Sequence, residues 1–184
     1  MNKVLVVIDM QEDFTRGALA NPKATELIPE IAKEIQKDEY PLIVFTRDTH
    51  TNDYLNTNEG KKLPIKHCIK DTKNWLVCEE LMEAVGNKPY AIIDKSIFGY
   101  DDWGYIVTKI LTSDYYNNPK DIEFVLVGTC TDICVVSNAL LLKSVLGRDP
   151  DKEVSCIERL CAGTTEENHK CAIQIMRCCQ VNII

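Results

Sequence analysis

The stretch Lys3 to Ile8, KVLVVI, constrains the fold more than any other part of the chain. After Lys3 it is apolar at every position instead of every second one, which is the pattern of a strand buried on both faces. Such a strand needs cover on each side, and the rest of the sequence supplies it. Residues 24–35 carry Leu27, Ile28, Ile31 and Ile35 on one helical face, Tyr40 to Thr46 reads as a second strand, and residues 77–85 as a short helix closed by Gly86 and Asn87. Tyr90 to Asp94 is a third strand, Tyr105 to Leu111 belongs to a helix, and a loop over residues 113–120 leads to a fourth strand from Ile122 to Val127. The apolar run breaks at Gly128 and resumes at helical spacing with Val135, Val136, Ala139, Leu140 and Leu142. Lys152 to Ile157 reads as a fifth strand, residues 165–179 as a helix and Val181 to Ile184 as a short last strand. The alternation predicts an α/β three-layer sandwich with a six-stranded, mostly parallel sheet.

A chain of 184 residues is expected to form one domain, residues 1–184, large enough to bury ~70% of its unfolded surface without staples. Its 21 basic and 28 acidic residues give a net charge of −7 with no basic run, so nucleic acid and anionic membrane are excluded as expected partners. No apolar run reaches membrane-spanning length, and the N-terminal run is too short for a secretory signal, which predicts a cytoplasmic protein. The nine cysteines are odd in number and lack paired C-x-x-C spacing, so they are expected to be reduced thiols.

Right-handed crossovers put the C-terminal ends of parallel strands on one edge, where such folds bind ligands. Asp9 ends strand one, Asp48 and His50 follow strand two, Lys95 follows strand three, and Cys134 follows strand four. Asp132 or Thr131 is positioned to cap the helix after Gly128, with Cys134 in or next to its first turn, where the helix N-terminus would lower the thiol pKa. A thiolate, an ammonium that stabilises it and a carboxylate that moves protons are the parts of acyl transfer through a thioester. Backbone N–H groups of the turn from Gly128 to Cys134 would serve the oxyanion.

The ordered segments IDMQEDF, TRDTH, LPIKHCI, KSIFGY and GTCTDICVVSNAL resemble the isochorismatase-like cysteine hydrolases, most closely the nicotinamidase branch, over nearly the whole chain. The resemblance implies a Rossmann-like isochorismatase fold, Asp9, Lys95 and Cys134 as catalytic triad, and a cis peptide bond between Thr129 and Cys130. The N–H groups of Cys130 and Cys134 would form the oxyanion hole, Cys130 being a tolerated small residue and not a second nucleophile.

Asp48 and His50 are two residues apart on an extended segment, so they share a face, and His67 returns to it from the same long loop. One carboxylate and two imidazoles suit a divalent metal ion, zinc foremost with manganese or iron as alternatives. The resemblance supports that set and implies that the metal orients the substrate's ring nitrogen. His169 is expected to be structural. Phe14 is a candidate wall for a flat ring, with Tyr100 and Trp75 as further aromatics. Two departures bear on the pocket: Thr49 stands where nicotinamidases generally have an aromatic, and Asn56 to Lys62 has no counterpart that can be matched.

The expected function is hydrolysis of a small amide, nicotinamide first, to a carboxylic acid and ammonia. Hydrolysis of another amide or an N-carbamoyl or ureido compound is the alternative within enzymes, and a non-catalytic thiol redox or ligand-binding protein the alternative outside them. Relatives commonly form homo-oligomers, but no feature of the sequence specifies an interface.

Overall fold

The structure is a computed structural model that describes residues 2–113, 116, 121–147 and 149–184. Six parallel strands, β1 (Asn2–Ile8), β2 (Leu42–Asp48), β3 (Tyr90–Lys95), β4 (Ile122–Thr129), β5 (Lys152–Ala162) and β6 (Asn182–Ile183), form one sheet in the order β3-β2-β1-β4-β5-β6. The order reverses direction at β1, between β2 and β4, so the carboxyl ends of these strands flank a crevice. The loop expected over residues 113–120 lies largely outside the described residues.

The unbroken apolar runs are explained by two cores. Val4, Val6, Ile8, Phe124 and Leu126 face one side, under α4 (Trp103–Leu111), α5 (Val136–Leu146) and α6 (Glu166–Cys178). Leu5, Val7, Val125 and Val127 face the other, under α2 (Pro22–Gln36) and α3 (Glu79–Val85). In α2, Asn21 caps Lys23 N–H, Pro22 takes the first turn, and Leu27, Ile28, Ile31 and Ile35 are buried. Each such side chain contributes ~1.5–3 kcal/mol, more than helix propensity supplies, so packing holds α2 in place.

Two close approaches shape the carboxyl edge. Gly128 pairs with Ile8, and its φ of 125° and the 2.1 Å at which a Cβ would meet Ile8 O leave room only for glycine. Asp9 itself has φ 49°, a left-handed conformation that Asp tolerates better than most residues. Sequence patterning did not signal the short α1 (Glu12–Thr15), and it placed the end of β5 five residues early.

The strand-to-helix junction after β4 differs from expectation. It is a π-helical turn, Thr131–Val135, in which Val135 N–H reaches back to Cys130 O, and no side chain caps it. Thr131 and Asp132 are engaged elsewhere, the hydroxyl with His169 Nδ1 at 2.9 Å and the carboxylate with the backbone N–H and hydroxyl of Thr164. Thr164 comes from the β5–α6 connection and His169 from the first turn of α6, so tertiary pairing has displaced local capping. The peptide between Thr129 and Cys130 is cis.

Candidate active site

Register brings the first group of polar residues together. Asp48 pairs with Lys95 across β2 and β3, and Thr46 pairs with Ile8, one residue before Asp9. Lys95 Nζ lies 2.7 Å from Asp9 Oδ2, 3.5 Å from Asp48 Oδ1 and 3.8 Å from Cys134 Sγ. Thr46 Oγ1 donates to Asp9 Oδ1 at 2.6 Å. All four of Asp9, Asp48, Lys95 and Cys134 are buried.

Burial decides the protonation states. It pushes the Asp9 carboxyl up, against the pull of Lys95 and of the Thr46 hydroxyl. It pushes the Cys134 thiol well above its ordinary value, and the neighbouring ammonium opposes this without overcoming it. The lowered thiol pKa expected from a helix N-terminus is therefore corrected: desolvating a thiolate costs more than the turn and one lysine return. Burial alone would lower Lys95, but Asp9, Cys134 and Asp48 outweigh it and hold the amine charged. The resting thiol keeps its proton, and Asp9, a carboxylate whose pKa burial has raised, is suited to receive it.

Cys134 opens into a cavity of about 410 Å³ whose walls include Phe14, Leu63, Phe98 and Ile133. Asp48, Glu59 and His67 line the same cavity. A wider groove of about 880 Å³ lies beside it, lined by Arg159, Glu166 and His169, but contains none of Asp9, Lys95 and Cys134. The smaller cavity holds the chemistry. Tyr100 is not among its lining residues: the ring packs edge-on against Trp103 with centroids 5.8 Å apart, and Phe98, two residues earlier, lines the cavity instead. Trp75 packs behind Phe14, under the Arg47 guanidinium at 3.6 Å, and donates from Nε1 to Thr49 Oγ1.

Residues 3–184 match the Isochorismatase domain family. The chain belongs to that family. The nicotinamidase of Saccharomyces cerevisiae is 27% identical over 175 aligned residues, covering 75% of this chain and 80% of that protein. Among solved structures, the pyrazinamidase of Pyrococcus horikoshii in complex with zinc has a TM-score of 0.79 at 23% identity, over 100% of this chain and 99% of that one. PnC1 from L. infantum in complex with nicotinate has a TM-score of 0.77 at 16% identity, over 100% and 92%. At these identities the structures establish the fold.

In this isochorismatase-domain chain Asp48, His50 and His67 do converge, and Glu59 joins them, one donor atom from each lying within 4.8 Å of the others. Asp48 Oδ2 is 2.9 Å from His50 Nε2 and 3.3 Å from His67 Nε2, and Glu59 Oε1 is 3.7 Å from both rings. His67 Nδ1 meets Ile65 O at 2.8 Å, which leaves Nε2 to the cluster. His50 Nε2 is buried without a well-aligned hydrogen bond. Two imidazoles and two carboxylates, all buried but the half-buried Glu59 and with an unsatisfied ring nitrogen, fit a divalent ion such as zinc.

Three residues absent from the sequence-based set build this arrangement. Glu59 falls in the segment 56–62 that matched nothing. Gln11 is wholly buried and clamps Asp48 from both sides, its Oε1 accepting from Asp48 N at 2.7 Å and its Nε2 donating to Asp48 O and Trp75 O at 2.9 and 2.8 Å. Asp13 accepts from Cys68 N at 2.6 Å, next to His67, and from Ala18 N and Asn74 Nδ2. Gln11 and Asp13 stand in the quoted IDMQEDF segment, and their burial was the missing signal. All nine cysteines are free thiols.

Proposed function

We propose that the chain is an amidohydrolase that converts nicotinamide to nicotinate and ammonia through a Cys134 thioester. The observation that carries this reading is the placing of Cys134, Lys95 and Asp9 at the head of a cavity walled by Phe14 and Phe98 and bordered by the Asp48, His50, Glu59 and His67 cluster. The name of the yeast relative supports the substrate.

Cys134 gives its thiol proton to Asp9, and the sulfur attacks the amide carbonyl while Lys95 holds the developing charge in place. The oxyanion is taken by the N–H groups of Cys130, just before the π-helical turn, and Cys134, within it. Asp9 returns the proton to the departing nitrogen, ammonia leaves, and a thioester remains. Asp9 then deprotonates a water that attacks the thioester, releasing the acid and restoring the thiol. The amide and one water are consumed, and the acid and ammonia are formed. Asp48, His50, Glu59 and His67 would hold the divalent ion, zinc foremost, which supplies a Lewis-acidic anchor for a ring nitrogen. The mostly aliphatic and aromatic walls favour a flat ring over an N-carbamoyl or ureido compound, which would leave polar groups unmatched.

The test is ammonia release by the zinc-loaded protein from nicotinamide, beside a panel of aliphatic amides and N-carbamoyl compounds. Turnover of nicotinamide above the panel is expected. Turnover confined to the panel would move the substrate, and no turnover of anything with Cys134 reduced would remove the hydrolase.

A further inference from the structure

Asn138 lies on α5 one helical turn beyond Cys134, and it is wholly buried. Its amide uses its full hydrogen-bonding capacity. Nδ2 donates to Phe98 O at 3.1 Å and to Cys134 O at 2.7 Å, while Oδ1 accepts from Tyr100 N and Trp103 Nε1, both at 2.9 Å. Both partners of Oδ1 can only donate and both partners of Nδ2 can only accept, so the orientation of the amide is fixed by its surroundings. Two of the four bonds go to the connection between β3 and α4 and a third to Trp103, the first residue of α4. The fourth goes to the carbonyl of the proposed nucleophile.

That connection carries one wall of the cavity, yet burial does little to hold it: Ile97 and Phe98 are 53% and 47% exposed. It also runs against α5, since a Cβ on Gly99 would meet Leu141 Cδ1 at 2.5 Å and Ser137 Cβ at 3.3 Å. A half-exposed wall seated on a helix next to the reacting thiol keeps its place only if something polar and specific ties it down.

We propose that Asn138 is a positioning residue that latches the Phe98 wall to the Cys134 turn, setting the gap between wall and sulfur that admits a flat aromatic amide. The proposal rests on the reading of Cys134 as the nucleophile of an aromatic amide hydrolase. The latch acts through Phe98 and touches no reacting atom. Its loss frees the wall and weakens substrate fit before it impairs the chemical step.

The experiment separates the two ends of the latch. In Asn138→Thr the shorter hydroxyl can still bond the carbonyl four residues back, Cys134 O, but cannot reach Phe98, Tyr100 or Trp103. KM for nicotinamide is expected to rise tenfold or more with kcat falling no more than threefold, and amide hydrogen exchange is expected to speed up across residues 96–103 while residues 131–136 stay protected. In a Phe98→Ala background the effect of Asn138→Thr on KM should vanish, because both changes act on one wall. An unchanged KM, a loss confined to kcat, or additive effects in the double variant would overturn the latch. Asn138→Asp, which keeps both acceptor bonds but loses both donors, is the second variant, and faster exchange at residues 98–100 is expected there too. If the unaltered protein does not hydrolyse nicotinamide, the functional reading falls. The exchange measurement still decides the latch, and unchanged exchange over 96–103 in both variants overturns it.

Discussion

Asp9 and Lys95 sit at or one residue beyond strand ends and Cys134 on the turn that carries β4 into α5, whereas of the four groups in the neighbouring cluster only Asp48 lies in a strand, and His50, Glu59 and His67 hang on the connection between β2 and α3. Pairing across the sheet fixes Lys95, Asp9 and the start of the turn that carries Cys134, because Asp48 faces Lys95 and Ile8 faces both Thr46 and Gly128 in register. The second set has no ladder of its own beyond one bridge between His50 and Ile69. Buried side chains take the place of the sheet: Gln11 holds Asp48 and the Trp75 carbonyl, and Asp13 holds Cys68 beside His67. A sheet edge can position catalytic groups for free, but a loop-borne ion site needs dedicated anchors.

The sharpest way to break this comparison is to remove one set and read the other. Cys134→Ala should reduce ammonia release by about 10³-fold or more while metal content per chain stays as in the unaltered protein. If the metal were lost as well, the two sets would be one structure. His50→Ala should do the reverse at the structural level, losing most bound metal on dialysis, measured by elemental analysis, while iodoacetamide still alkylates Cys134 at a rate within a few-fold of normal. Failure of that variant to lose metal would remove His50 from the ligand set.

Asp13→Asn tests the anchors themselves. All three groups facing the Asp13 carboxylate are N–H donors, so an amide NH₂ must oppose one of them. Zinc affinity, measured by competition with a chelating dye, is expected to fall ~10–100-fold with the ligands intact. Affinity within twofold of normal would show that the loop holds His67 without Asp13.

The same contrast explains what the sequence made legible. Apolar runs that stop at or shortly before Asp9, Asp48, Lys95 and the Gly128 turn announce strand ends, and parallel connectivity then delivers those residues to one edge. Glu59 had no such marker, because a loop position acquires its neighbours only through tertiary folding. Gln11 and Asp13 carry no marker in the sequence either, because their use depends on burial that only the folded chain supplies. The Cys134 pKa differs from expectation for a related reason: a helix terminus is local and visible in sequence, but the desolvation that outweighs it comes from tertiary burial of the sulfur. Tyr100 and Phe98 differ by two positions in an irregular segment with no period to say which ring turns inward.

The smallest expected effect lies inside the strand-borne set. Thr46 Oγ1 donates to Asp9 Oδ1 at 2.6 Å and accepts from Asp9 N at 3.2 Å, so it stabilises the charged carboxylate and contributes to holding Asp9 in its left-handed conformation. Burial raises the Asp9 pKa and the hydroxyl opposes that rise. Thr46→Val keeps the shape of the side chain and deletes the donor, so the Asp9 pKa must go up further. In the proposed reaction Asp9 works as a base and has to be ionised to receive the thiol proton. Activity is thus present above its pKa and lost as pH falls through it, and the variant should lose activity sooner on the acid side. A hydrogen bond to a charged group is worth ~1.5 kcal/mol, which moves the acid limb of kcat/KM upward by about one pH unit. The plateau above that limb should drop only a few-fold. A profile that moved down in pH, or one lowered uniformly with its acid limb unmoved, would mean that a group other than Asp9 sets the limb.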